Sequence, residues 1–402
     1  MSDTPGVPPR SEVTGAPKRS LLSDLLDAVK HGPTPLVIGV LVIQFAFVLS
    51  YVGAFHHPGA HRVPIAVVAP AEISGHLVNE LNEIHGRPLN ATAVASESAS
   101  RTLLRNGSTS GVLIVSPAGK TDALLVASGG GAATATVVEA VVAAAEAAQH
   151  RVATVTDAVP AQSGDARGLS GFYLVVGWLV GGYLIATLLG MAISARPAAV
   201  RRARVRLIVL VPYAIVSGLG GAIVVDPILG ALTGHFLAIA ATGFLLVYCA
   251  AAVTVGFQSL LGSAGVGLTL LLFVVLGNPS AGGAYQAPLL PGFWRTISPA
   301  LPNGAGVTAL RRIVYFGSHG IASNLTIIAA YIVAGLAMTL VGTAVLTRRA
   351  STEQPGASAE VEWPIDAATS VIAAALVFLP LVDVPLSLLG DVLTYPIAME
   401  DG

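Results

Sequence analysis

Residues Gly277–Phe316 read GNPSAGGAYQAPLLPGFWRTISPALPNGAGVTALRRIVYF. The stretch lies between two long apolar runs. It holds Pro279, Pro288, Pro291, Pro299 and Pro302, and a spanning helix cannot, because each ring removes a backbone donor and clashes with the preceding turn. Yet it also carries Tyr285, Leu289, Leu290, Phe293, Trp294 and Ile297. A solvated loop has no use for so many large apolar groups. The combination predicts broken backbone packed at a membrane surface or dipping into it, covered by protein.

Composition agrees. Only 11% of the 402 residues are charged and 54% are hydrophobic, against a soluble norm of about 25% charged. Mean hydropathy is +0.76. The expected fold is a mainly α-helical polytopic membrane protein with six core transmembrane helices, a seventh apolar segment, and a small extracytoplasmic α/β domain between helices one and two. The formal net charge of −1 gives no reason to expect a nucleic-acid partner. Cys249 is the sole cysteine, which excludes an intrachain disulfide and a cysteine-based metal site.

Outward from the opening stretch, the chain divides as follows. Residues 1–19 are Pro/Gly/Ser-rich and read as a disordered tail. Residues 20–31 place Leu21, Leu22, Leu25, Leu26 and Val29 on one helical face, so this short helix is expected to lie in the bilayer interface. Leu36–Phe55 is the first span and is read as a retained anchor. Residues 56–170 alternate strand-like runs (63–69, 89–95, 111–116, 123–127, 152–159) with helical ones (73–84, 98–105, 132–149), the pattern of an α/β domain. Residues 171–349 carry the remaining core spans, expected at 171–193, 207–225, 235–257, 259–276 and 325–346, with the re-entrant segment 277–316 between the last two. A polar linker (350–366) and a last apolar segment with its tail (367–402) follow.

Orientation rests on one signal. Arg196, Arg201, Arg202, Arg204 and Arg206 crowd the junction after the second span with no acid among them, which predicts a cytoplasmic loop and a cytoplasmic N-terminus. The α/β domain and the 277–316 segment then lie outside, in a protein of the plasma (inner) membrane.

No catalytic constellation stands out. Gly119-Lys120-Thr121 is not a nucleotide-binding loop, since Ile114 stands where such a loop needs its first glycine. His56, His57 and His61 lack a carboxylate or thiolate neighbour, so they read as interfacial polar residues and no metal or other cofactor is expected. Asp226, Asp383 and Asp391 lie at span ends and read as turn and capping groups. No chain of acids crosses the spans, which counts against a proton relay. Gly177/Gly181, Ser217/Gly221 and Ser263/Gly267 are small-residue pairs that permit close helix packing.

Several motifs are similar to those of a known group. Asn278-Pro279-Ser280-x-Gly282-Gly283, Leu290-Pro291-x-Phe293-Trp294 and Leu301-Pro302-x-Gly304-x-x-Val307-x-Ala309-Leu310-Arg311 resemble the loop before the last core helix of type-2 ABC-transporter-like permeases, the phage-infection-protein-like subgroup in particular. Asp165-x-Arg167-Gly168-Leu169-Ser170-x-Phe172-Tyr173 fits the same subgroup. The tail 382–396 resembles a pattern of small bacterial envelope lipoproteins. The permease resemblance covers about residues 20–349. It implies a permease-type subunit, working as a homodimer, that exports a hydrophobic, amphiphilic or peptide-like substrate and is driven by a separate ATPase rather than being an enzyme itself. The helix 20–31 and the arginine-rich loop (Arg196, Arg201, Arg202, Arg204, Arg206) would face that ATPase. Asn278, Pro279, Phe293, Trp294 and Arg311 would form an outer gate. The alternative is a surface receptor or scaffold, such as a secretion-system accessory, with the α/β domain as its binding module.

Overall fold

A computed structural model describes residues 34–165, 167–193 and 200–353. The interfacial helix 20–31, Arg196, and the apolar segment 367–402 lie outside the described residues. So does the 350–366 linker from residue 354 onward.

Helix α1 (Thr34–Phe55) leads into the α/β domain. There β1 (Val63–Val68), α2 (Ala71–Glu83), β2 (Leu89–Ala93), α3 (Glu97–Arg105), β3 (Gly111–Ile114), β4 (Thr121–Val126), α4 (Ala132–Ala148) and β5 (Val152–Asp157) follow in order. Every element expected from the alternating pattern is present. The sheet runs β2-β1-β3-β4-β5. β1 pairs in parallel with both β2 and β3, β3 and β4 form an antiparallel pair, and β4 and β5 are parallel.

Strand alternation decides the two faces. Val63, Ile65 and Val67 bury against Leu113, Leu124, Val138 and Val142, while Ala66, Val112 and Leu125 face Leu104 and Phe316 on the other side. Gly111 lets α4 settle on β3, since a Cβ there would lie 2.9 Å from Val138 Cγ1. Expected to be covered on both faces, the sheet is not at its edge: β5 leaves Val152 and Val155 exposed.

One buried charge cluster lies at the end of α4. Arg151 binds Asp122 through Nε (2.7 Å) and Nη2 (2.5 Å), and its Nε lies 3.7 Å from Glu146 Oε2. Burial, with the Asp122 carboxyl alongside, raises Glu146 to about 7.

The helical bundle begins with α5 (Ser170–Ile193) and α6 (Val200–Ile223), which ends in a wide turn at Val224–Ile228. α7 (Phe236–Leu261), α8 (Ala264–Ser280), α9 (Gly292–Ile297), α10 (Pro302–Tyr315) and α11 (Ile321–Glu353) complete it. Among the described residues, five helices are long and apolar enough to cross a membrane: α1, α5, α6, α7 and α11. The expected fifth span is the point of difference. It appears as α8, 17 residues from Ala264 to Ser280, or roughly 25 Å of helix against about 30 Å of hydrocarbon.

α7 is the most enclosed of the five. Its three neighbours approach through glycine: a Cβ at Gly182 on α5 would lie 2.4 Å from Val247 O, at Gly218 on α6 2.5 Å from Ala240 O, and at Gly335 on α11 2.6 Å from Ala252 C. Of the expected small-residue pairs, Gly177 faces open space, whereas a Cβ at Gly181 would lie 3.2 Å from Tyr213 Oη on α6. A Cβ at Gly221 would meet the Trp178 indole at 2.4 Å, and the Trp178 Nε1 donates to Ser217 O (3.1 Å). Ile208, Val209, Val216, Val333 and Val341 remain exposed, as lipid-facing side chains do.

The Glu146 cluster generates a pH prediction. A carboxyl whose folded value is raised contributes stability that is complete below about 4.5, its unfolded value, and is lost as pH rises through about 7. Asp122 works oppositely, since its value is lowered and its share is lost only as pH falls below about 3.8. The thermal stability of the wild type should therefore fall from pH 5 to pH 8. Glu146→Gln, which keeps the shape and removes the titration, should flatten that slope; an unchanged slope would place its origin elsewhere.

Candidate functional site

The 277–316 segment starts where α8 breaks. Gly262 (φ +66°) turns the chain out of α7, and a Cβ at Gly265 would lie 2.5 Å from the Phe257 backbone, so α8 starts hard against its predecessor. The helix then widens at Leu271–Gly277 just before Pro279, which has no backbone N–H to offer the preceding turn.

The widened turn frees carbonyls, and side chains take them up. Asn303, fully buried at the start of α10, donates through Nδ2 to Phe273 O (3.0 Å) and to Asn278 Oδ1 (2.8 Å). Ser50 on α1 donates to Val275 O. Gly277 is required here, because a Cβ would lie 2.2 Å from Asn303 Oδ1. That oxygen has no hydrogen-bond partner among the described residues.

The segment also forms the floor of the α/β domain. Gln286 Oε1 accepts from Thr134 N (3.1 Å) and Thr134 Oγ1 (2.9 Å) at the start of α4, and its Nε2 donates to Gly283 O (3.2 Å). Gly131 (φ +143°) makes room, since a Cβ there would lie 2.1 Å from Gln286 Cδ. Gly59 N and His61 N donate to Leu289 O (3.1 Å) and Pro288 O (2.9 Å). Tyr315 Oη donates to Asp165 Oδ2 (2.9 Å), whose other oxygen accepts from Ser170 N (2.8 Å). Gln162 Oε1 accepts from Thr233 N (2.7 Å) in the turn between α6 and α7. Leu289 and Phe316 are buried within the domain's own apolar clusters.

The gate residues expected from sequence therefore separate. Asn278 and Pro279 sit at the break, and Pro279 is buried. Trp294 is 9% exposed and packs with Ala54 and Leu290. Phe293 is 59% exposed and only meets Trp294 edge-on (4.9 Å), so it does not share the burial expected for both rings. Consecutive residues on one helical turn cannot both face inward. Arg311 is half-buried and donates to Gly283 O (3.3 Å). Gln286, Asn303 and Tyr315 escaped the sequence reading. The signal that could have found the first two is a large amide in an otherwise apolar, proline-broken stretch.

The arginines of the other candidate site separate too. Arg201 and Arg204 are exposed and Arg202 is half-buried. Arg206 is 7% exposed and points into the bundle, where Nη2 donates to Gln258 Oε1 (2.6 Å) and to Ala186 O. It cannot serve as a surface contact. Its Nε and Nη1 have no partner among the described residues. Also among the described residues, no three His, Cys, Asp or Glu side chains lie together in a way that could hold a metal ion.

The five apolar helices are those of a multi-pass membrane protein. No family model matches the chain, nor does any curated protein or solved structure.

Two buried amides carry predictions. Gln286→Ala strands the Thr134 N–H beneath the domain and should lower stability in detergent by about 1–3 kcal/mol, read as earlier proteolysis between the domain and the bundle. Gln258→Leu should cost a similar amount by depriving Arg206 of its acceptor, and adding Arg206→Met should recover most of the loss. Additive losses would show that the two groups are not coupled.

Proposed function

We propose that this chain is the permease-type membrane subunit of an export system for a hydrophobic, amphiphilic or peptide-like substrate, driven by a separate ATPase. The observation that carries this reading is α8 and the segment after it. Irregular backbone at membrane depth survives only where protein covers it or where it lines a pathway, and broken helices with re-entrant backbone recur where transporters handle their substrate. The motifs of 278–311 that resemble type-2 permeases fall on this feature. In this reading the arginine-rich junction before α6 is cytoplasmic, by the positive-inside trend. The α/β domain is then extracytoplasmic, and the exposed Arg201 and Arg204 are the residues available to an ATPase. A second copy of the chain would complete the transport unit.

A receptor or scaffold role is the second reading. It is favoured by a groove of about 580 Å³ between α2 and α4, lined by Leu77, Leu81, Ile84 and Val141. Glu80 accepts two hydrogen bonds from Gln149 Nε2 at its rim (3.0 and 2.9 Å).

Both readings share one topology. With buried Cys249 replaced by Ala, Ser108→Cys should react with an impermeant maleimide on intact cells, whereas Arg204→Cys should react only after lysis. The reverse labelling pattern would invert the orientation. To separate the readings, Arg201, Arg202 and Arg204 are changed together to Lys, which keeps the charge but loses the planar fork of donors. For a permease subunit, the triple variant should insert normally yet recover less ATPase on purification and show reduced substrate efflux. Wild-type behaviour of the triple variant in both assays would favour the receptor reading.

A further inference from the structure

A second cavity, of about 240 Å³, lies at the seam between the α/β domain and the 277–316 segment. Arg311 and Arg312 of α10 form part of its wall, with five hydroxyl-bearing residues, Thr109, Ser110, Thr134, Ser298 and Thr308. No Asp or Glu lines it.

The two guanidinium groups have few protein partners. Each carries five N–H donors, yet Arg311 gives one hydrogen bond to Gly283 O (3.3 Å) and Arg312 one to His319 O (2.6 Å). Among the described residues no carboxylate oxygen comes within 4.0 Å of either. Asp165 acts on Arg311 from beyond that distance. The two meet at a smaller cavity that both line, where Asp165 is engaged with Tyr315 and Ser170. Two adjacent cations thus face an acid-free cavity with most of their donors unassigned. Thr308 stands one turn before Arg311 and Arg312 on the same helix, and among the described residues the hydroxyls of Ser110 and Thr308 make no hydrogen bond.

The space of about 240 Å³ has room for a tetrahedral oxyanion and part of its hydration. Guanidinium groups match phosphate oxygens in pairs, through parallel charge-assisted hydrogen bonds. Position narrows the chemistry further. Phe316 lines the cavity, and the apolar helix α11 begins five residues later at Ile321, so the site lies near the level where a span meets headgroups.

We propose that this cavity is a phosphate-oxyanion site, occupied by the headgroup phosphate of an anionic lipid or by a free phosphate. The site goes beyond the transport reading and stands whether or not the chain moves a substrate.

The test uses the full-length protein. In detergent, thermal unfolding is followed while sodium phosphate is titrated against sodium chloride of equal ionic strength. In parallel, the protein is reconstituted in nanodiscs of phosphatidylcholine alone or mixed with phosphatidylglycerol, and retained lipid is read by native mass spectrometry. The wild type should be stabilised saturably by phosphate, or should retain phosphatidylglycerol selectively. The first outcome identifies a soluble source, the second a lipid. Arg311→Gln and Arg312→Gln should each weaken that binding about tenfold, the scale of one lost charge-assisted hydrogen bond, while Arg204→Gln at the opposite end of the bundle should not. If Arg311→Gln does not fold, Arg312→Gln and the wild-type titrations decide. No response in either arm, or equal loss in Arg204→Gln, would overturn the site.

Discussion

A peptide group without a partner in an apolar surrounding costs several kcal/mol, and that constraint shapes everything around Asn278-Pro279. The proline cannot continue the hydrogen-bond ladder of α8, so the helix widens and carbonyls come free. One buried amide, Asn303, reaches back thirty residues in sequence to take up Phe273 O, and the Ser50 hydroxyl on another helix takes up Val275 O. Gly277 has to be glycine because the amide occupies the place of a side chain. The break in α8 is therefore a packed, satisfied structure, and it survives only while α1, α8 and α10 stay together.

The same segment ties the α/β domain down. Gln286 on α4, residues 288–289 on Gly59 and His61 before β1, Tyr315 on Asp165, and Gln162 on the α6–α7 turn fasten the domain at four places. Its apolar clusters also borrow Leu289 and Phe316 from the segment. A domain held this way is not a tethered bead. A ligand that shifted α4 would pull on Gln286, which stands eight residues from the α8 break. The domain and the broken helix thus share one hydrogen-bonded seam, and the arginine-lined cavity lies within it.

At the other end of the bundle, the positive stretch divides by helix geometry. Arg201, Arg204 and Arg206 lie within two turns of α6, yet only Arg206 turns inward, onto Gln258 of α7 and the Ala186 carbonyl of α5. A buried cation held by neutral acceptors ties three helices at one point, because each acceptor is lost if its helix slides. The exposed arginines are free of that duty. Charge count treats the arginines alike, and the packing gives Arg206 a task that Arg201 and Arg204 do not have.

Periodicity and hydropathy were enough to read the five long helices and all eight elements of the α/β domain, because length, apolar face and alternation are local properties of the chain. The broken character of 277–316 was equally legible, since proline and glycine act on their own residues. The bounds of α8 were not: expected over 259–276, the helix runs from Ala264 to Ser280. Whether an apolar run crosses a membrane or stops short depends on where Gly262 turns it and where Asn303 catches it, and Asn303 is forty-one residues away in sequence from that glycine. Nor could sequence tell Phe293 from Trp294, or Arg206 from Arg204, since neighbouring side chains of one type differ only in which face of the helix meets another helix. The pairing of Gln286 with Thr134 spans 152 residues, and no local signal foretells a contact that exists only once the domain has been lowered onto the segment beneath it.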